Sequence, residues 1–218
     1  MSTDLETNLE SRPLRVAILI FDDVEVLDFA GPFEVFGVAR TSSGDFACEV
    51  MTVALEQREI IARNGLRIIP HRIAADLGAV DILVVPGGFG TRRELTNPAM
   101  LELIRTASNA AALTLSVCTG SLLLGASGLL AGRAATTHRD AMDELRSLNC
   151  AANILPDARI VDNGRIVTSA GISAGIDAAL YIVARLFEQA AAAGTAHYMQ
   201  YDWNYRSVDG KSVVKIDA

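Results

Sequence analysis

The chain has 218 residues, half of them hydrophobic, with 26 acidic against 19 basic side chains and a formal net charge of −7. That much apolar material builds one α/β domain with a large core and excludes a globally disordered chain. The acidic balance argues against a nucleic-acid backbone or an anionic membrane as the main partner.

Residues 1–13 are polar and acidic, lack the basic and apolar regions of a secretory signal, and are expected to be a disordered tail. Arg15 to Phe21, rich in branched residues, predicts a buried parallel strand that stops at Asp22-Asp23. Val26 to Arg40 follows as a helix with Pro32 near its first turns. Phe46 to Ala54 reads as the next strand, and Arg58 to Ile69 as a short hairpin turning at Asn64-Gly65. Asp81 to Val85 is a further buried strand, running directly into Pro86-Gly87-Gly88-Phe89-Gly90. Asn97-Pro98 opens a helix to about Ala111. Leu113 to Val117 reads as a strand, and Thr119 to Leu130 as a helix apolar nearly all round and so buried. Arg139 to Leu148 is an amphipathic helix. Ala158 to Val161 and Arg165 to Thr168 flank the turn Asp162-Asn163-Gly164. Ser173 to Phe187 is a long helix.

This alternation predicts an α/β domain over 14–188, with a doubly wound, mostly parallel sheet and helices on both faces. Residues 189–218 begin alanine-rich, then carry Tyr198, Tyr201, Trp203 and Tyr205. This C-terminal helix and aromatic tail is expected to pack on the parent domain or on a dimer partner. The most apolar stretch, Ala110 to Leu130, is broken by Thr, Ser and Gly, so no membrane span is expected. Cys48, Cys118 and Cys150 are too few and scattered for a disulfide framework or a zinc site, and His71, His138 and His197 lack metal spacing. No metal, no cofactor and a reduced, cytoplasmic location are therefore expected.

Ser116-Val117-Cys118-Thr119-Gly120-Ser121 places a cysteine where an apolar strand turns into a helix. A nucleophile elbow needs small neighbours because its backbone is strained and tightly packed, and Gly120 and Ser121 supply them. Unpaired N–H groups at a helix start favour a thiolate, so a depressed thiol pKa is expected. The plainer reading is a buried packing cysteine, which suits Cys48 and Cys150 better. The Pro86–Gly90 loop leaves a neighbouring strand on the rim where open α/β sheets bind ligands. Gly87 and Gly88, with the Thr119 N–H, are candidates for an oxyanion hole; a simple glycine turn is the alternative.

Together, Leu27-Asp28-Phe29-Ala30-Gly31-Pro32, Val85-Pro86-Gly87-Gly88, Val117-Cys118-Thr119-Gly120-Ser121, Ala135-Thr136-Thr137-His138 and Ala170-Gly171-Ile172-Ser173-Ala174-Gly175-Ile176-Asp177 resemble the ThiJ/PfpI superfamily. The likeness runs in order from about Arg15 to Phe187. It implies a flavodoxin-like, class I glutamine amidotransferase-like fold, a small-molecule substrate and a homodimer. Within the superfamily, the chain is most similar to the isonitrile hydratase branch and to the sensor domains of AraC-type regulators. That branch implies Cys118 as nucleophile, Asp28 as essential acid and Thr119 as supporting hydroxyl, in the addition of water to an isonitrile to give an N-substituted formamide. The protease branch carries a histidine directly after its cysteine. Thr119 stands there, so a Cys-His dyad at that position is absent.

Asp28 lies near the start of the first helix, on the same rim as Cys118. It is either a proton shuttle with a raised pKa or a helix-start carboxylate complementing the dipole. His138 and Ile172 join Gly87, Gly88 and Thr119 as substrate-binding candidates; for His138 a structural role fits equally well. Asp177 reads as a packing or interface carboxylate. Two rivals to hydration remain: a ligand or redox sensor whose cysteine oxidises without turnover, and another cysteine reaction of glyoxalase or amidase type.

Overall fold

The computed structural model of the protein describes residues 12–151, 153–203 and 213–216. Residues 1–11 of the expected tail lie outside the described residues, and Arg12 is held by a bidentate pair with Asp81 at 2.7 and 3.0 Å.

The chain opens with β1 (Leu14–Leu19), α1 (Val26–Val38) and β2 (Cys48–Ala54). A two-residue antiparallel ribbon follows, β3 (Ile60–Ile61) with β4 (Arg67–Ile68), turning where the sequence predicts through Asn64 and Gly65 at φ 60° and 80°. Next come β5 (Arg72–Ile73), β6 (Ile82–Val85), the short α2 (Thr91–Glu94) and α3 (Pro98–Ala110). The side chain of Asn97 caps α3 by accepting from the Ala99 and Met100 N–H groups at 3.2 and 3.4 Å. Then follow β7 (Leu113–Val117), α4 (Gly120–Ala126), β8 (Ala134–Ala135), α5 (Met142–Ser147), β9 (Asn153–Ile154), β10 (Ile160–Asp162), β11 (Ile166–Ser169), α6 (Ala174–Tyr198) and β12 (Val213–Lys215).

Eight strands form one sheet in the order β12-β10-β11-β7-β6-β1-β2-β5. All neighbouring pairs are parallel except the β10–β11 hairpin, which turns through Gly164 at φ 79°. The doubly wound, mostly parallel α/β architecture is therefore as the alternation of elements predicts. Central strands β1, β6 and β7 are almost wholly buried, which is why they read as unbroken apolar runs.

Two elements differ from expectation. α4 stops at Ala126 rather than near Leu130, because Gly128 adopts φ 77°. α6 leaves helical geometry at Phe187 and Glu188, where the first of the two expected helices ends, and a second helical stretch follows to Tyr198. Within the C-terminal segment, β12 adds an edge strand beside β10, and the Tyr201 hydroxyl donates to Asp177 at 3.0 Å. Tyr205 lies outside the described residues.

Candidate active site

Register brings four strand ends to one level. Ile18 pairs with Val84, Val85 with Ser116, and Val117 with Ser169, so β1, β6, β7 and β11 finish side by side. The loops after them carry Asp22–Glu25, Pro86–Gly90, Cys118 and Ala170–Ser173. Parallel pairing in this order thus assembles the site from four separate stretches of sequence.

Cys118 sits at φ 56°, a left-handed conformation that costs a non-glycine residue roughly 1–2 kcal/mol. The surroundings hold it there. Its N–H donates to the Ala170 carbonyl at 3.1 Å, and its carbonyl accepts from the hydroxyls of Thr137 at 3.0 Å and Ser121 at 3.2 Å. Tight backbone approach accounts for Gly120: a Cβ there would lie 2.0 Å from the Val85 carbonyl oxygen.

Asp28 reaches the sulfur from α1. The buried face of that helix is Asp28, Phe29, Gly31, Pro32, Val35 and Phe36, a helical stripe turned inward. Asp28 is therefore a fully buried carboxyl, not an exposed complement to the helix dipole. Its Oδ2 accepts from the Gly87 N–H at 3.0 Å, while Oδ1 makes no hydrogen bond. Burial pushes its pKa up to about 7; the Cys118 thiol and the Gly87 and Ile172 N–H groups pull it partly back. The thiol is pushed up to about 12, first by burial and then by the facing Asp28 charge. The N–H groups of Thr119 and Ile172 act on the sulfur in the opposite direction.

That overturns the expected depressed thiol pKa. α4 is only seven residues long, and its few N–H groups do not offset a buried sulfur facing a carboxylate. Two facing acids that are both buried hold on to a shared proton instead of both ionising. Cys48 is also pushed up to about 12, by burial. Proton affinity therefore does not distinguish the two cysteines. A facing carboxyl, two N–H donors and a strained backbone do.

The glycine loop also takes a different role from the one expected. The Gly87 N–H is engaged by Asp28, and the Gly88 N–H donates to Thr119 Oγ1 at 2.9 Å. Both amides are thus engaged elsewhere, and the N–H groups that act on the sulfur are those of Thr119 and Ile172. A Cβ on Gly87 would lie 2.5 Å from the Thr119 nitrogen and 2.8 Å from Asp28 Oδ2, so only glycine fits between the two. The Thr119 hydroxyl faces the loop, not the reacting atom.

Ile172 stands at φ 54°, an uncommon conformation for a β-branched residue, with its side chain 38% exposed. It lines a cleft of about 430 Å³ with His138, Arg139, Arg159, Gly171 and Ser173 among others. His138 accepts from the Asp140 N–H at 3.2 Å and packs on Gly171, making no hydrogen bond to Cys118 or Asp28. Asp177 is ion-paired with Arg159, which fits its reading as a packing carboxylate. Thr91, which sequence reasoning passed over, is fully buried behind the site and bonded to it. Its one visible signal is a hydroxyl residue directly after a glycine-rich loop. Among the described residues, no three His, Cys, Asp or Glu side chains are grouped to hold a metal ion, and no helix is long and apolar enough to cross a membrane.

A strained cysteine at the carboxyl edge of a parallel sheet, facing a buried carboxyl from the first helix, defines a class of α/β proteins with a cysteine elbow. Residues 14–185 match the DJ-1/PfpI family model, and the chain belongs to that family. Among curated relatives, isonitrile hydratase of Pseudomonas putida is 34% identical over 192 residues, which are 88% of this chain and 78% of that protein. The HTH-type transcriptional regulator GbdR of Pseudomonas aeruginosa is 28% identical over 173 residues, covering 79% of this chain but 47% of the regulator. Among solved structures, a ThiJ/PfpI family protein from Pseudomonas syringae superposes with a TM-score of 0.79 at 28% identity, covering 93% of this chain and 83% of that one.

Proposed function

We propose that the protein is an isonitrile hydratase-like enzyme, adding water to an isonitrile to give an N-substituted formamide, with Cys118 as nucleophile and Asp28 as proton carrier. The observation that carries this reading is a buried cysteine held in a left-handed strand-to-helix turn with the fully buried Asp28 carboxyl facing its sulfur. An isonitrile carbon becomes electrophilic once it is protonated. Asp28 takes the thiol proton and delivers it to that carbon as the sulfur bonds to it, giving a thioimidate, S–CH=N–R. Asp28 then removes a proton from water as the water oxygen adds to the same carbon, and passes that proton to the nitrogen, giving S–CH(OH)–NH–R, whose hydroxyl proton goes to the departing sulfur. Collapse expels the sulfur, which recovers its proton, and releases R–NH–CHO. The Thr119 and Ile172 N–H groups stabilise the thiolate while it forms. The similarity to the Pseudomonas putida enzyme across most of both chains supports the same reading.

The sensor reading is the alternative, and similarity to the transcriptional regulator favours it. Purified protein offered a panel of alkyl and aryl isonitriles is expected to release the matching formamides, read by mass spectrometry. No turnover across the panel, together with preferential oxidation of Cys118 over Cys48 and Cys150 by mild peroxide, selects the sensor. We further read the chain as a cytoplasmic homodimer; a monomer by sedimentation contradicts that.

A further inference from the structure

The Gly88 peptide is gripped at both ends by hydroxyls. Thr119 Oγ1 accepts from the Gly88 N–H at 2.9 Å and lies 3.2 Å from the Gly88 carbonyl oxygen. Thr91 Oγ1 donates to that carbonyl at 2.7 Å, the shortest bond of the set, and is 3.2 Å from Thr119 Oγ1. The Arg92 guanidinium adds contacts of 3.2 Å to both the carbonyl and Thr91 Oγ1. Thr91 is fully buried and Thr119 nearly so, so water does not compete for these bonds. One residue earlier, Gly87 donates its N–H to Asp28 Oδ2 at 3.0 Å and accepts from the Glu25 N–H at 2.9 Å.

We infer that Thr91 is a positioning residue of the site: its hydroxyl, closing a ring with Thr119 and the Gly88 peptide, fixes the loop so that the Gly87 N–H stays on Asp28. The inference rests on the reading of Asp28 as proton carrier. Its consequence follows from sign alone. An N–H donated to a carboxylate favours the charged form, so losing that bond makes Asp28 a weaker acid. Three other groups act on Asp28. The Cys118 thiol from the elbow and the Ile172 N–H from the loop after β11 favour its charge. Glu25 just before α1 opposes it and is itself paired with Arg63 at 3.9 Å. Of the four, only the Gly87 N–H is donated to the carboxyl by the clamped loop itself, and Glu25 is tied to that loop through its own N–H on the Gly87 carbonyl.

The test follows the carboxyl carbon of Asp28 by NMR in the substrate-free protein, with Asp28→Asn assigning the signal. Thr91→Val and Thr91→Ala are expected to raise the Asp28 midpoint by about one pH unit, the size of one lost charge-assisted hydrogen bond. Thr91→Ser, which keeps the hydroxyl, is expected to restore the wild-type midpoint. An unchanged midpoint in folded Thr91→Val or Thr91→Ala overturns the inference. So does a Thr91→Ser midpoint as displaced as that of Thr91→Ala. If both apolar variants fail to fold, the wild type decides. A Thr91 hydroxyl proton in slow exchange with water supports the clamp, and one in fast exchange contradicts it. Because no substrate is present, failure of the isonitrile assay leaves this result standing, and an unmoved midpoint beside intact turnover refutes the clamp alone.

Discussion

Two strand-to-helix junctions lie next to one another at the carboxyl edge of the sheet, β7 into α4 and β11 into α6. Each turns on a non-glycine residue at positive φ, Cys118 at 56° and Ile172 at 54°. They are joined directly, the Cys118 N–H donating to the Ala170 carbonyl at 3.1 Å. The first junction holds the sulfur. The second aims an N–H at that sulfur and presents an apolar side chain to the adjoining cleft. Left-handed backbone occurs at other non-glycine residues too, among them Asn149, Glu188 and Gln200, but at these two turns one strained residue is tied directly to the loop of the other.

The largest expected effect comes from removing the atom the first junction places. Cys118→Ala is expected to reduce formamide production to background, while Cys48→Ala and Cys150→Ala leave it within about twofold, as packing cysteines would. Comparable losses at Cys48 would erase the distinction between the elbow and an ordinary buried thiol.

Asp28→Asn is expected to lower turnover by roughly 10²–10⁴ while stabilising the fold at neutral pH. The folded carboxyl titrates at about 7 against an ordinary value of 3.8. Between those values the native state binds more protons than the unfolded chain, so wild-type stability falls as pH rises through that window. The gain from Asn is therefore near zero at pH 4 and greatest above pH 7, with an upper bound of about 4 kcal/mol. Thermal melts of both proteins across that range check it; a pH-independent difference contradicts it.

Two glycines separate the junctions by backbone tightness. A Cβ at Gly120 would lie 2.0 Å from the Val85 carbonyl, whereas at Gly175 it would lie 2.8 Å from a side-chain carbon of Val117. Gly120→Ala must move backbone and is expected to cost about 3 kcal/mol or more. Gly175→Ala only displaces Val117 and is expected to cost about 1 kcal/mol. Denaturant midpoints showing the reverse order would place the tight contact at the wrong junction.

The smallest effect is expected at Ile172. Ile172→Gly relieves the left-handed strain but adds chain entropy to the unfolded state, so stability is expected to shift by no more than about 1 kcal/mol in either direction. Turnover is expected to fall several-fold as the N–H loses its fixed aim. Unchanged turnover would remove the second junction from the chemistry.

Legibility in the sequence divides along the same line. Strands β1, β6 and β7 were plain as apolar runs, and both hairpins were plain from Asn64-Gly65 and Asp162-Asn163-Gly164. Cys118 was plain because a cysteine between a strand and a Gly-Ser helix start is a local pattern. Asp28 needed more: its place in the buried stripe of α1 becomes visible only once that helix packs against the domain. The elbow alone points to a depressed thiol pKa, whereas the burial and facing carboxylate that raise it are properties of assembly. The partners of the Gly87 and Gly88 amides are not legible in the loop for the same reason, since Asp28 and Thr119 lie far along the chain. Short edge elements such as β5 and β12 carry too few residues to show a period.

The most direct test is a rapid-quench, single-turnover reaction with a simple alkyl isonitrile, followed by intact-mass and peptide analysis. The expected result is a transient adduct of one isonitrile on Cys118, decaying as formamide appears and absent in Asp28→Asn. Formamide released with no adduct on Cys118, or an adduct forming equally fast without the Asp28 carboxyl, would contradict the coupled thiol–carboxyl mechanism.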